Sequence, residues 1–390
     1  MTRTTLKIEN FAQIKKAEIE FGDLTVLVGA QGTGKSLALQ WLKTAIDGKQ
    51  IVTALRDAGQ QASGAQLIDL IFGQGMGAAW TKESRVTFNK KPISLNAIGN
   101  RGKLTGKVFY IPAHRATLLS DGWAAPFQRL APDVPVAARI FSQSLFDQFS
   151  SKGGNDLFPV PKLLKEVYRK LIDDAVFHGG TVNLEQQGAS SKRLRLNHGD
   201  SKLPFMTWTA GQREFTPLLL GLYNLLPRTN QRKRTEVDWV IIEEPEMGLH
   251  PRAINVFMLL VLDLLWRGYK VVLSTHSPDV VTAVWMLERM KANSAKASRV
   301  CEAFDAPTSA SLQAVAEEAL LKTYRVHVLA FEEDGKKVIA KDISKLDPSS
   351  ASEDEANWGG LTKFSSNYGD VLRKVVNESK RGSPIKKPGK

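Results

Sequence analysis

Gly29-Ala30-Gln31-Gly32-Thr33-Gly34-Lys35-Ser36 fits the phosphate-loop pattern G-x-x-x-x-G-K-[ST] at every fixed position. Before it, Leu24-Thr25-Val26-Leu27-Val28 is a short apolar, β-branched run that reads as a buried strand. After it, Leu37 to Ile46 reads as a helix, with Leu37, Leu39, Leu42 and Ala45 apolar. Strand, glycine-rich turn, helix is the context in which such a loop binds phosphate. Successive N–H groups can point at phosphate oxygens, and the helix N-terminus adds partial positive charge. Lys35 is expected to reach the β- and γ-phosphates, and the Ser36 hydroxyl to ligate Mg²⁺. The expected ligand is ATP or GTP.

Working outward, 390 residues can bury one large core or two smaller ones, and 43% hydrophobic with 24% charged residues describes a globular chain. The most apolar helical stretch, Val256 to Trp266, is too short to span a membrane and carries Asp263. The start lacks the apolar centre of a signal peptide and reads as an edge strand, so a cytoplasmic location with no membrane partner is expected. Cys301 is the only cysteine, which excludes an internal disulfide and a cysteine-based metal site. Net charge is +13, concentrated in the last eleven residues (Lys380, Arg381, Lys386, Lys387, Lys390) and in Arg228, Arg232, Lys233 and Arg234. Such clusters suit non-specific contact with nucleic acid phosphates, and equally suit solvated loops.

The motifs divide the chain. Residues 1–115 read as a first ATPase lobe with the phosphate loop, ending in a strand at Lys107 to Ile111. Residues 116–204, broken by Pro126, Pro132 and Pro135, read as a mainly helical insertion, although Lys192 to Leu196 and Pro204 to Trp208 alternate like strands. Residues 205–290 form a second lobe. Residues 291–378 read as a small α+β extension with a hairpin turned at Asp334-Gly335, and 379–390 as a disordered basic tail.

In the second lobe, Asp238 to Ile242 is an apolar strand ending in Glu243-Glu244-Pro245-Glu246. Ligands of nucleotide-binding α/β sheets sit beyond the carboxyl ends of strands. Glu243 is therefore expected to hold the metal and Glu244 to orient the attacking water. Three adjacent carboxylates repel unless a cation or donor offsets them. Pro251 starts a helix running to Trp266, and the strand Lys270 to Ser274 then delivers Thr275-His276-Ser277-Pro278. His276 is expected to contact the γ-phosphate. Thr209-Ala210-Gly211-Gln212, at the start of a leucine-rich helix, makes a second candidate anion site.

Phosphate loop, Thr-Ala-Gly-Gln, Glu-Glu-Pro-Glu and Ser-Thr-His-Ser-Pro, in this order, resemble ABC-class ATPase heads, and most closely the branch that includes the OLD-family ATPases. Leu6 to Phe11, Tyr110 to Arg115 and Glu244 to Pro251 resemble that branch too. The resemblance implies an α/β head with a mixed, largely parallel sheet flanked by helices. It makes Lys35 and Ser36 a Walker A pair, Glu243 and Glu244 the Walker B acid and catalytic glutamate, and Met247 to His250 a D-loop. Thr209, Gly211 and Gln212 become the signature, with threonine where the family has serine, and His276 the switch histidine. The Q-loop residue stays open between Gln74 and a contribution from Arg115.

In this class the signature of one subunit closes on the phosphate loop of another, so the resemblance implies ATP, Mg²⁺ and a homodimer or higher homo-oligomer. No Asp-x-Asp of a TOPRIM nuclease is present. Standalone heads of this branch are similar to the ATPase subunits of anti-phage cassettes such as PARIS and Septu. The implied function is an ATPase switch acting on a separate effector, a nuclease or toxin; the alternative is an ATP-gated DNA-binding maintenance factor.

Overall fold

The computed structural model describes residues 3–150, 156–161, 163–187, 191–226, 232–234 and 236–381. Alternating apolar residues build β1 (Thr4–Phe11) and β2 (Ile14–Phe21), with Leu6, Ile8, Ile14, Ala17 and Ile19 turned inward. The two-faced apolar run β3 (Leu24–Val28) is buried throughout and feeds α1 (Lys35–Asp57). Then come α2 (Gly64–Phe72), β4 (Trp80–Phe88), β5 (Lys91–Pro92) and β6 (Val108–Ile111). The middle of the chain holds α3 (Val136–Ser150), β7 (Asp156–Phe158), α4 (Glu166–Ile172), β8 (Thr181–Gln187), β9 (Ser191–His198) and β10 (Ser201–Pro204). It is followed by α5 (Ala210–Leu225), β11 (Trp239–Glu243), α6 (Pro251–Trp266), β12 (Lys270–Ser274) and α7 (Pro278–Ala292). The last elements are α8 (Ala297–Ala303), α9 (Ala310–Ala319), β13 (Tyr324–Phe331), β14 (Val338–Asp342), α10 (Glu353–Ala356) and α11 (Lys363–Arg381).

Ten strands form one sheet, ordered β5-β4-β1-β2-β14-β13-β3-β12-β11-β6. The block β13-β3-β12-β11-β6 is parallel, and β5-β4-β1-β2 is antiparallel. α1 and α2 cover one face with Trp41, Leu42, Ile68 and Phe72; α5, α6 and α7 cover the other with Phe215, Leu219, Phe257 and Val281. This is the α/β P-loop ATPase architecture, a mixed and largely parallel sheet between helices. No described helix is long and apolar enough to cross a membrane.

Three expectations need correction. The first strand is not an edge, because β1 lies between β4 and β2. Residues 116–204 hold more than the helices expected there: beside α3 and α4, β10-β9-β8-β7 form a second, antiparallel sheet. Its period-two pattern turns Val182, Leu184, Leu194 and Leu196 inward. There the stretch from Pro204 to Trp208 folds as a tight turn, with the Trp208 indole donating to the Leu203 carbonyl at 3.0 Å.

The third concerns the hairpin at Asp334-Gly335, which forms but is no appendage. Tyr324, Val326, Val328 and Leu329 are almost wholly buried, as suits a strand covered on both faces, and β13 pairs in parallel with β3. β14 then joins β2, so the hairpin closes the sheet between its two blocks. α11 continues to Arg381, and the basic residues expected at 382–390 lie outside the described residues, as does Arg228.

Candidate functional site

Because β3, β12, β11 and β6 are parallel neighbours, their carboxyl ends deliver residues 29–36, 275–277, 243–246 and 112–115 to one edge of the sheet. The phosphate loop turns through Gly29, Gly32 and Gly34, at φ 139°, 75° and 90°. A Cβ on Gly29 would sit 2.2 Å from the Leu329 carbonyl oxygen of β13, so the loop rests directly on the hairpin. The Gln13 side-chain amide, in the β1–β2 turn, donates to the Gly32 carbonyl at 2.7 Å, and Thr33 Oγ1 donates to the Ala30 carbonyl at 2.9 Å. Ala30 and Gln31 are exposed at the tip.

Lys35 Nζ donates to the carbonyls of Gly29 and Ala30 at 2.9 and 3.0 Å. Burial lowers its pKa to about 8, while the nearby Glu244 and Glu246 carboxylates act in the opposite sense.

Glu243, the last residue of β11, is buried, and its Oε2 accepts the Ala113 N–H at 3.1 Å. Its other oxygen has no well-formed hydrogen bond. Burial raises the Glu243 pKa, against the Ser36 hydroxyl, the Ala113 N–H and the Tyr110 hydroxyl, which lower it. A buried carboxylate with an unsatisfied oxygen, beside the first hydroxyl of the loop helix, fits a divalent cation. Mg²⁺ takes one or two protein oxygens and completes its shell with phosphate and water. No group of three ligating His, Cys, Asp or Glu side chains occurs among the described residues.

Glu244 adopts φ 41°, an uncommon conformation for this residue type, while its N–H extends the β11–β12 pairing to the Ser274 carbonyl at 2.9 Å. Its carboxylate Oε1 lies 3.5 Å from His276 Nε2. Burial, then Lys35, pushes the His276 pKa down, so the imidazole is neutral at pH 7. Glu246 Oε1 accepts the His276 backbone N–H at 2.6 Å and so ties the turn after β11 to the loop after β12.

The carboxyl end of β6, beside Glu243, presents Ala113, His114 and Arg115, and no glutamine. Gln74 lies in the turn after α2, and no hydrogen bond joins it to this edge among the described residues. Arg115 is fully buried. Its guanidinium donates to the carbonyls of Glu214 (3.0 Å), Glu243 (3.1 Å), Glu244 (3.4 Å) and Pro245 (3.3 Å). One side chain thus binds β6, the turn after β11 and the first turns of α5. Sequence reading singled out Arg115 but not this clamp, and it missed the Glu246 tie and the Gln13 support; for the tie, the third acid of Glu243–Glu246 was the signal available.

Thr209 and Gln212 cap α5 reciprocally: Thr209 Oγ1 accepts the Gln212 N–H at 3.3 Å, and Gln212 Oε1 accepts the Thr209 N–H at 3.2 Å. Gly211 packs against the Gly248 carbonyl, where a Cβ would stand at 3.1 Å. No hydrogen bond joins Thr209, Gly211 or Gln212 to residues 29–36 among the described residues.

Comparison with known proteins agrees with this chemistry. Residues 118–282 match the family model described as AAA domain, putative AbiEii toxin, Type IV TA system. That span holds the α5 cap, the acidic strand end and His276, but not the phosphate loop. Over 149 residues the chain is 26% identical to the Old nuclease of Escherichia phage P2; the alignment covers 37% of this chain and only 23% of that protein.

Among solved structures, an SMC head bound to the C-winged helix domain of ScpA aligns with TM-score 0.40 and 13% identity, over 88% of this chain and 98% of that one. The SMC head domain from Thermotoga maritima gives 0.36 and 14%, over 88% and 99%. CbiO1 from Clostridium perfringens, part of the ABC transporter complex cbiONQ, gives 0.32 and 16%, over 70% and 78%. The fold, a phosphate loop at the carboxyl edge of a largely parallel sheet between helices, is that of a P-loop ATPase, and the matched family model spans residues 118–282, less than half of the chain.

Proposed function

We propose that the chain is an ATP-binding and ATP-hydrolysing switch that assembles through composite sites and thereby controls a separate effector. The observation that carries this reading is the division of the site. Lys35, Ser36, Glu243, Glu244 and His276 converge on one sheet edge, whereas no hydrogen bond joins the capped N-terminus of α5 to the loop of its own chain among the described residues. In this reading Gly29 to Ser36 cradle the phosphates. Ser36 and Glu243 would hold Mg²⁺, which would supply neutralisation of phosphate charge. Glu244 orients the attacking water, His276 meets the γ-phosphate, and Thr209, Gly211 and Gln212 complete a neighbour's site through helix N-terminal N–H groups.

Glu244→Gln is the test, with bound nucleotide and molar mass measured together. ATP is expected to remain bound and the assembled form to accumulate; hydrolysis at the wild-type rate would remove Glu244 from its role. An anti-phage setting, with a nuclease or toxin as effector, is supported by the family resemblance and by a single recognisable catalytic constellation. It predicts that the native operon encodes a protein that co-purifies with this chain.

The DNA-binding alternative rests on the basic clusters and is the weaker reading. Arg232 pairs with Glu318 at 3.5 Å, Lys233 with Asp238 at 3.0 Å, and Arg234 with Glu236 at 3.9 Å, so these charges are largely offset. ATP-strengthened, salt-sensitive binding to duplex DNA by a chain lacking residues 382–390 would favour it.

A further inference from the structure

The loop after β12 is held through its successive N–H groups. Thr275 donates to the Leu27 carbonyl of β3 at 3.0 Å, and Ser277 to the Thr275 hydroxyl at 2.9 Å. Between them, the His276 N–H donates to Glu246 Oε1 at 2.6 Å. A second tie to the turn after β11, from Glu244 Oε1 to His276 Nε2, is a looser 3.5 Å. Glu246 therefore fixes the backbone from which the imidazole projects.

A carboxylate is a demanding choice for this task. Glu246 is half-buried, and its Oε2 is shielded from water without a hydrogen bond. A neutral amide would accept one N–H at a lower desolvation cost. An ionised acceptor, however, makes a bond roughly twice as strong as a neutral one. Arg115 and Lys35 both lie near enough for their charges to act on it and offset its own. The residue's backbone is fixed as well: Met247 donates to the Glu244 carbonyl at 3.2 Å and Leu249 to the Glu246 carbonyl at 2.9 Å. No hydrogen bond joins Glu246 to residues 29–36 among the described residues, so its hold is on the histidine loop and not on the phosphate cradle.

We propose that Glu246 is a positioning residue for turnover. It sets the backbone of His276 so that the imidazole meets the γ-phosphate, and it leaves ATP binding to the phosphate loop. This role rests on the reading of His276 given above.

Glu246→Ala is expected to lower kcat about a hundredfold, the scale of a misplacement of about 1 Å, with affinity for a fluorescent ATP analogue unchanged. Glu246→Gln, whose amide oxygen still accepts the N–H, is expected to recover most of the turnover. A cycle with His276→Ala separates positioning from general structure. Once the imidazole is gone, removing Glu246 is expected to slow hydrolysis no further. Glu246→Gln no faster than Glu246→Ala, or a full further loss when Glu246→Ala is added to His276→Ala, overturns the role.

Hydrogen exchange of the nucleotide-free full chain reads the tie without hydrolysis. Fragments spanning Thr275 to Ser277 are expected to exchange faster in Glu246→Ala and near the wild-type rate in Glu246→Gln. A wild-type chain that hydrolyses no ATP, or His276→Ala at the wild-type rate, removes the proposed function and this role together. Unchanged exchange or unchanged turnover in Glu246→Ala removes this role alone.

Discussion

At the scale of single residues, Lys35 has the most exacting position. Its amine is held among carbonyls and away from water, which is why it titrates near 8 and not at its ordinary 10.5. Triphosphate oxygens stabilise the charged form. At pH 8.5 the free site is largely neutral, so ATP binding takes up a proton; at pH 7 the amine is already charged and uptake vanishes. Calorimetry in two buffers of different ionisation enthalpy measures this, and Lys35→Arg, always charged, abolishes the difference. That Glu243 ends β11 was legible from the sequence, because the apolar run Trp239 to Ile242 stops at it. The Glu246 hold on the His276 N–H was not, since it depends on how two turns from adjacent strands meet.

At the scale of elements, Arg115 makes the site more than a set of strand ends. Arg115→Ala leaves buried carbonyls of Glu243, Glu244 and Pro245 without donors, and is expected to cost on the order of 3 kcal/mol, read from the urea midpoint. Arg115→Lys keeps the charge but not the planar fork, so it is expected to recover part of the stability and little of the turnover. Local patterns foretold α6 to the residue, from Pro251 to Trp266, because a proline start and an apolar face are written within it. They foretold the β13–β14 hairpin but not its place. Pairing β13 with β3 is a contact across 300 residues of sequence (Asp23 with Thr323), and periodicity holds no information about such partners. Truncation separates the two kinds of C-terminal element: ending the chain after Lys322 is expected to abolish soluble expression, whereas ending it after Thr362 leaves nucleotide binding intact.

At the scale of the whole molecule, a divided site predicts complementation. Lys35→Ala removes one half of the composite site and Gly211→Asp the other, so each homogeneous variant is expected to be inactive. Mixed in equal amounts, half of the dimers carry both variants, and each such dimer has one intact site. Activity then recovers to roughly a quarter of the wild-type rate. A mixture that stays inactive places both halves on the same chain. Fold class was readable in advance because the four motifs occur in a fixed order. The second sheet, β10-β9-β8-β7, was obscured by the prolines before it and by the helices it adjoins.

The hairpin beneath the phosphate loop is made long after the loop itself. Gly29 rests on Leu329, and β13 and β14 fill the gap between the first-made strands β2 and β3. A nascent chain emerging from the ribosome can therefore carry its entire phosphate loop for some 300 residues of further translation without a floor to set it on. ATP binding is therefore expected only once translation has passed the hairpin, and a product terminated before it is expected to hold no nucleotide, so that competence comes last to the residues made first.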